Sequence, residues 1–120
     1  MLVLWIRPGR APEPLELEPT LEAMQKQVGG YIQAVYPWED PVALICNEEG
    51  KALQLPLNRA LMNPENGEIY DIIAGDFFIC GLGEEDFDSM SPELMEKYRR
   101  LFEKREIFIR TDGGIVMLQG

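Results

Sequence analysis

The sequence predicts an α+β fold in which a mostly antiparallel sheet carries two packed helices, at about residues 20–28 and 91–105. Short runs of β-forming residues alternate with glycine- and proline-containing turns, which is typical of antiparallel strands. Two other segments have apolar residues at helical spacing between recognisable caps. No repeat, low-complexity tract or linker interrupts the 120 residues, so we expect a single domain, 1–120.

Hairpins and a meander account for the predicted strands. The first apolar run ends at the Pro8-Gly9 turn, and residues 15–18 alternate leucine with glutamate, so we expect these two segments to pair. Gly50 is predicted to take a left-handed conformation in a tight turn, after which the chain continues as a strand. The predicted strands cover residues 2–6, 15–18, 31–36, 42–46, 52–55, 69–73, 76–80, 107–109 and 115–118.

Capping residues define both predicted helices. Thr20 can cap the first helix, and Gly29 ends it as a glycine C-cap. The second helix begins with Ser91 as the N-cap, Pro92 at the first position and Glu93 in the first turn. Cations near residue 105 favour an end at that point.

Composition argues against several classes of function. A net charge of -10 repels nucleic acid phosphates, so direct DNA or RNA binding is disfavoured. Histidine is absent, which argues against a hydrolase or a transition-metal enzyme; we expect no catalytic residues, no cofactor and no metal site.

Cys46 and Cys80 lie in apolar runs and are expected to be buried free thiols. Apolar runs far shorter than ~20 residues and a start without signal-peptide features predict a cytoplasmic protein that does not enter the membrane.

Arg59 is the most informative charge in the chain because it stands beside Asn58 in a run of leucines. A guanidinium in apolar surroundings needs planar acceptors, which either a ligand phosphate or a protein carboxylate can supply. The carboxylates of Asp71 and Asp76 are the candidate internal partners. The two interpretations, ligand site and ion pair, stand about even at this point.

Four further residues are candidate ligand contacts. Asn47 could bind a base or ribose edge, although asparagine in a turn more often caps its own backbone. Tyr31 and Tyr36 lie near turns, where an uncovered ring can stack on a planar ligand; ordinary rim packing is more common. Asp76 completes the predicted ligand-binding set with Arg59 and its neighbour.

Four segments in order resemble a family of small proteins from phages, plasmids and other mobile elements of Gram-positive bacteria, a domain family with no assigned function. The resemblance covers about residues 1–105, and the last hairpin, about 106–118, lies outside the family pattern. The segments that carry it are Gly29–Ile32, Val42–Lys51, Leu55–Leu61 and Ile69–Phe78.

This resemblance implies a setting in which accessory proteins counter bacterial immunity. Small phage proteins of that kind sequester nucleotide immune signals, frequently as oligomers. The resemblance therefore implies a homo-oligomeric binding protein, not an enzyme, that holds an ADP-ribose-like or cyclic nucleotide in the bacterial cytoplasm. Two alternatives stay open: an acidic DNA mimic or decoy that inhibits a basic host or defence protein, and an enzyme that acts on a nucleotide through carboxylates.

Overall fold

The structure, a computed structural model that describes residues 1–119, contains two helices and ten strands, and every strand pair is antiparallel. The predicted α+β class is confirmed. The elements are β1 (Leu2–Ile6), β2 (Glu13–Glu16), α1 (Leu21–Val28), β3 (Ile32–Val35), β4 (Val42–Asn47), β5 (Leu57–Met62), β6 (Ile69–Ala74), β7 (Phe77–Leu82), β8 (Phe87–Asp88), α2 (Pro92–Leu101), β9 (Glu106–Thr111) and β10 (Gly114–Gln119).

The main sheet has the strand order β2-β1-β7-β4-β3, with the short β8 added to β7. Its central strands are apolar on both faces because each face is covered. Residues such as Ala43 and Ile45 pack with Met24 of α1, whereas Leu44 packs with Tyr98 of α2 on the other side. Two separate hairpins, β5–β6 and β9–β10, complete the fold, and the β5–β6 hairpin joins the core on the α2 side.

The predicted caps of α1 are confirmed. The Thr20 hydroxyl accepts a hydrogen bond from the Ala23 backbone, and Gly29 takes a left-handed conformation at the C-cap with φ 79°. Within the described residues, the chain contains no helix that is both long and apolar enough to cross a membrane.

Helix α2 begins at the predicted Ser91 cap but ends at Leu101, four residues before the predicted boundary. The helix stops because Phe102 turns into the core, where its ring packs edge-on against Trp38 and Phe77. The carbonyl of Phe102 then accepts hydrogen bonds from Arg59, so a buried cation satisfies the helix end.

Residues 52–55 were wrongly predicted as a strand. They form a series of turns in which Leu53 and Leu55 bond back to Glu49 and Gly50. Gly50 is not left-handed either; it is needed because a Cβ atom there would lie 2.6 Å from the Ala74 carbonyl oxygen. Residues 57–62, which were not among the predicted strands, form strand β5.

Candidate functional site

Arg59 lies fully buried on β5, and protein groups surround its guanidinium. Its Nε and Nη2 donate to the Phe102 carbonyl at 3.3 and 3.1 Å, and Nη2 also donates to the Arg10 carbonyl at 2.6 Å. Nη1 donates to the Asn58 amide oxygen at 3.0 Å. The ion-pair partner is Glu106 at 3.8 Å, rather than either aspartate that the sequence suggested. These contacts favour the ion-pair interpretation of Arg59, because its donors already have acceptors within the protein, and ligand binding by Arg59 stays a prediction.

Asn58 and Asn47 also serve the fold. The Asn58 amide nitrogen donates to the carbonyls of Ile6 and Gly75 at 2.9 and 2.8 Å, which ties β5 to the end of β1. The Asn47 amide nitrogen donates to the Val28 carbonyl, and its oxygen accepts from the Glu49 backbone. Both side chains are buried and bonded within the protein, which favours structural roles for them.

The remaining predicted contacts do not come together. Tyr31 and Tyr36 are exposed, and neither lines the cleft that is described next. Asp76 is half-buried in a separate hollow beside Gly29 and Lys26, and burial raises the pKa of its carboxyl. The predicted contacts therefore do not line one common cleft, and the site around Arg59 stays a prediction.

A different cleft, with a volume of about 510 Å³, opens between the β5–β6 hairpin, the 51–55 turns and the C-terminal hairpin. This volume is within the range of small-ligand sites. Its walls are mostly apolar, with two cations, one carboxylate, one amide and one aromatic ring. The lining residues are Lys51, Gln54, Leu55, Leu57, Ile69, Tyr70, Asp71, Ile72, Arg110 and Ile115.

The turn that forms one wall of the cleft holds an unusual backbone conformation. Gln54 has φ 56°, the only left-handed non-glycine residue among residues 1–119. The left-handed region is unfavourable for a residue with a Cβ atom, and such outliers concentrate at functional sites. Gln54 thus places an amide, which can donate and accept, at the rim of the cleft.

The charged groups of the cleft favour an anion. Lys51 pairs with Asp71, whose carboxylate also accepts a hydrogen bond from the Ile72 backbone at 2.8 Å. Arg110 lines the same cleft and has no ion-pair partner among the described residues. The lining therefore carries one more positive than negative charge, in a chain whose net charge is -10.

The side chains around the cleft offer recognition chemistry, and neither cysteine of the chain lines it. Burial raises the pKa of the Cys46 thiol to about 11 and that of the Cys80 thiol to about 12, so both stay protonated at neutral pH. The part of the chain described here contains no group of three potential metal-ligating side chains. Over the cleft, the exposed ring of Tyr70 can stack on a planar group, and Arg110 can grip a carboxylate or a phosphate.

The family model of a domain of unknown function, DUF3846, matches residues 1–103. The chain belongs to the DUF3846 family. No curated protein and no solved structure matches this chain. The DUF3846 match ends at the turn after α2, so the C-terminal hairpin that supplies Arg110 and Ile115 lies beyond it.

Sequence reasoning missed the residues that line the cleft because their distinguishing signals are small. Lys51 follows the predicted turn, and Arg110 is the one cation between the apolar residues of the last hairpin. Tyr70 is an exposed aromatic residue on one of the predicted strands. The sequence pattern that could have identified these residues is a polar or aromatic side chain on a strand beside a turn. That pattern is less distinctive than an arginine in a run of leucines, such as Arg59.

Proposed function

We propose that this DUF3846 protein is a binding protein that captures a small nucleotide-type anion in the cleft without transforming it. The observation that carries the proposal is the combination of Arg110, Lys51 and Tyr70 around one mostly apolar cleft. A nucleotide presents a flat base and a phosphate, which match a stacking ring and a guanidinium.

The strongest support is electrostatic. The overall charge of -10 repels anions at long range, but this repulsion is screened beyond about 8 Å at physiological salt. Contacts with Arg110 and Lys51 act at shorter range and are screened much less. An anion that reaches the cleft therefore meets a locally favourable field.

The setting is part of the proposal. The resemblance to small proteins of phages and mobile elements favours an accessory role in which the captured compound is an immune signal of the bacterial host, of the ADP-ribose-like or cyclic nucleotide type. Sequestration requires tight binding and no turnover, and the stacking ring and cations of the cleft supply groups for such binding.

The test is a capture assay. Purified protein is incubated with a panel of cyclic nucleotides and ADP-ribose-type compounds, then recovered by filtration and heated to release what it holds. We expect one compound to be depleted from the filtrate and released intact. Release of an altered compound would indicate an enzyme instead, and no depletion would contradict the proposal.

Two variants with the same change of charge distinguish binding in the cleft from a general effect of net charge on anion binding. Arg110→Glu should weaken capture by at least about tenfold, because a charge-assisted hydrogen bond is replaced by repulsion. Lys104→Glu lies outside the cleft and should leave capture almost unchanged. An equal loss in both variants would mean that the cleft is not the site. Tyr70→Ala should also reduce affinity by about tenfold if its ring stacks on the ligand.

The alternative, an acidic decoy for a basic protein, makes a different prediction. Its complex would weaken steeply as salt rises and would not depend on Tyr70. Measurement of affinity for a purified basic partner between low and high salt separates the two.

A further inference from the structure

The C-terminal hairpin carries apolar side chains on both faces, but only one face lies against the rest of the protein. The register pairs Phe108 with Met117 and Arg110 with Ile115, so these side chains share one face. That inner face lies toward the molecule: Phe108 and Met117 are half-buried, and Arg110 and Ile115 line the cleft.

The opposite, outer face is aliphatic and exposed. Ile107 lies opposite Leu118, and Ile109 lies opposite Val116, which gives two cross-strand pairs on the same side. Their exposed fractions are 57%, 49%, 45% and 46% respectively. The described residues of this face include no charged side chain; Thr111 supplies its polar group.

Such a surface is unusual for a hairpin that faces water. Strands that are apolar on both sides are typical of positions buried between two layers. A two-stranded sheet is also only marginally stable alone and needs a hydrophobic partner. Here β9–β10 forms no wider sheet with the other strands described, and the aliphatic side chains of its outer face stay exposed.

We propose that the outer face of the β9–β10 hairpin is a homodimer interface, on which the same hairpin of a second copy packs. A two-fold interface brings a patch against itself, and a uniformly aliphatic patch is complementary to itself. Face-to-face packing of the two hairpins would bury all four aliphatic side chains of each copy between two sheets about 10 Å apart.

Charge favours this region over the rest of the surface as the meeting point of two copies. The whole chain has 21 acidic and 11 basic residues, so two copies repel each other over most approaches. Residues 104–119 differ, because Lys104, Arg105 and Arg110 outnumber Glu106 and Asp112. Two copies therefore approach with the least repulsion where their hairpins face each other.

The size of the patch determines the strength of the dimer. A standard stable interface buries about 800 Å² on each partner, and four half-exposed aliphatic side chains supply only part of this area. The dimer is therefore weak and reversible. The cleft residues Arg110 and Ile115 are on the inner face, so the dimer leaves both clefts open.

Sedimentation equilibrium from about 5 to about 500 µM tests the proposal, a range that covers weak self-association. The average mass of the wild-type protein should rise with concentration toward twice the monomer value. Val116→Lys should weaken dimerisation at least tenfold. Leu21→Lys, which places the same charge at an exposed apolar position on α1, should dimerise like the wild type.

Folding of each variant is checked by circular dichroism. If Val116→Lys fails to fold, Val116→Thr keeps the shape of the side chain and should still weaken the dimer. A wild-type protein that stays monomeric up to the highest concentration would overturn the proposal. So would a folded Val116→Lys or Val116→Thr protein that dimerises like the wild type.

Discussion

Two arginines in this protein, one on β5 and one on β9, have opposite surroundings. Arg59 is fully buried; carbonyl and amide oxygens accept from its guanidinium, and the Glu106 carboxylate forms an ion pair with it. Arg110 is exposed at the wall of a cleft and has no ion-pair partner among residues 1–119. The comparison shows the limit of using an apolar run to find a ligand site. An arginine in such a run is expected to be buried, and a buried guanidinium needs protein acceptors that occupy the donors a ligand would need.

The largest expected effect concerns the buried arginine. Arg59→Met should lower the free energy of unfolding by about 3–5 kcal/mol, because Glu106 is left as a buried carboxylate without its cation and the Phe102 carbonyl loses its donor. Urea denaturation measures the change. Arg110→Met, the same substitution in the cleft, should alter stability by less than about 0.5 kcal/mol.

A double variant identifies the cause of that loss. Arg59→Met combined with Glu106→Gln removes both charges and keeps an oxygen for the Ala60 amide, so it should recover part of the lost stability. If Arg59→Met proves as stable as the wild type and instead loses ligand capture, the assignment of the two arginines is reversed.

Asn58→Asp is expected to have the next largest effect. The substitution keeps the shape of the side chain, but it replaces the nitrogen that donates to Ile6 and Gly75 with an oxygen that faces both carbonyls. Stability should fall by about 2 kcal/mol even though a carboxylate is placed beside Arg59. Thermal and urea unfolding measure the loss, and a gain in stability would show that attraction to the guanidinium outweighs the two lost donors.

The pH dependence of stability, compared between the wild type and Glu106→Gln, tests whether burial or the ion pair with Arg59 has the larger effect on the pKa of Glu106. Burial raises the pKa of the Glu106 carboxyl, against the opposing effects of the Ala60 amide and Arg59. In the window above the ordinary glutamate pKa, the folded protein therefore binds more protons than the unfolded chain does. The wild type should lose stability relative to Glu106→Gln as pH rises through that window.

Urea denaturation of both proteins between acidic and neutral pH gives the comparison. A wild type that gains stability relative to the variant as pH rises would mean that the pKa of Glu106 is lowered, with the ion pair outweighing burial.

The sequence was sufficient to predict the elements that local chemistry determines. The Thr20 and Ser91 caps, the Gly29 stop and most strands are confirmed. The end of α2 and the turns at 52–55 were wrong because distant groups determine them. The carbonyl at the end of α2 is bonded by Arg59, 43 residues earlier, and the backbone of Gly50 approaches Ala74.

The candidate site was harder to predict than the fold for the same reason. Lys51, Tyr70 and Arg110 come from three separate segments, and only the folded chain brings them to one cleft. None of the three stands out in its own segment. The residues that do stand out, Asn58 and Arg59, are distinctive because they join strands to a helix end.

Gln54→Gly is expected to change stability only slightly, and it contrasts the cleft with the buried surroundings of Arg59. Glycine relieves the left-handed backbone of Gln54 but increases the entropy of the unfolded chain, so the two effects largely offset and stability should change by less than about 1 kcal/mol. The amide at the rim of the cleft is lost at the same time. Ligand capture should therefore weaken severalfold in a protein of nearly unchanged stability, as measured by the capture assay and urea denaturation. A loss of more than about 2 kcal/mol would instead assign Gln54 to the fold, as for Asn58.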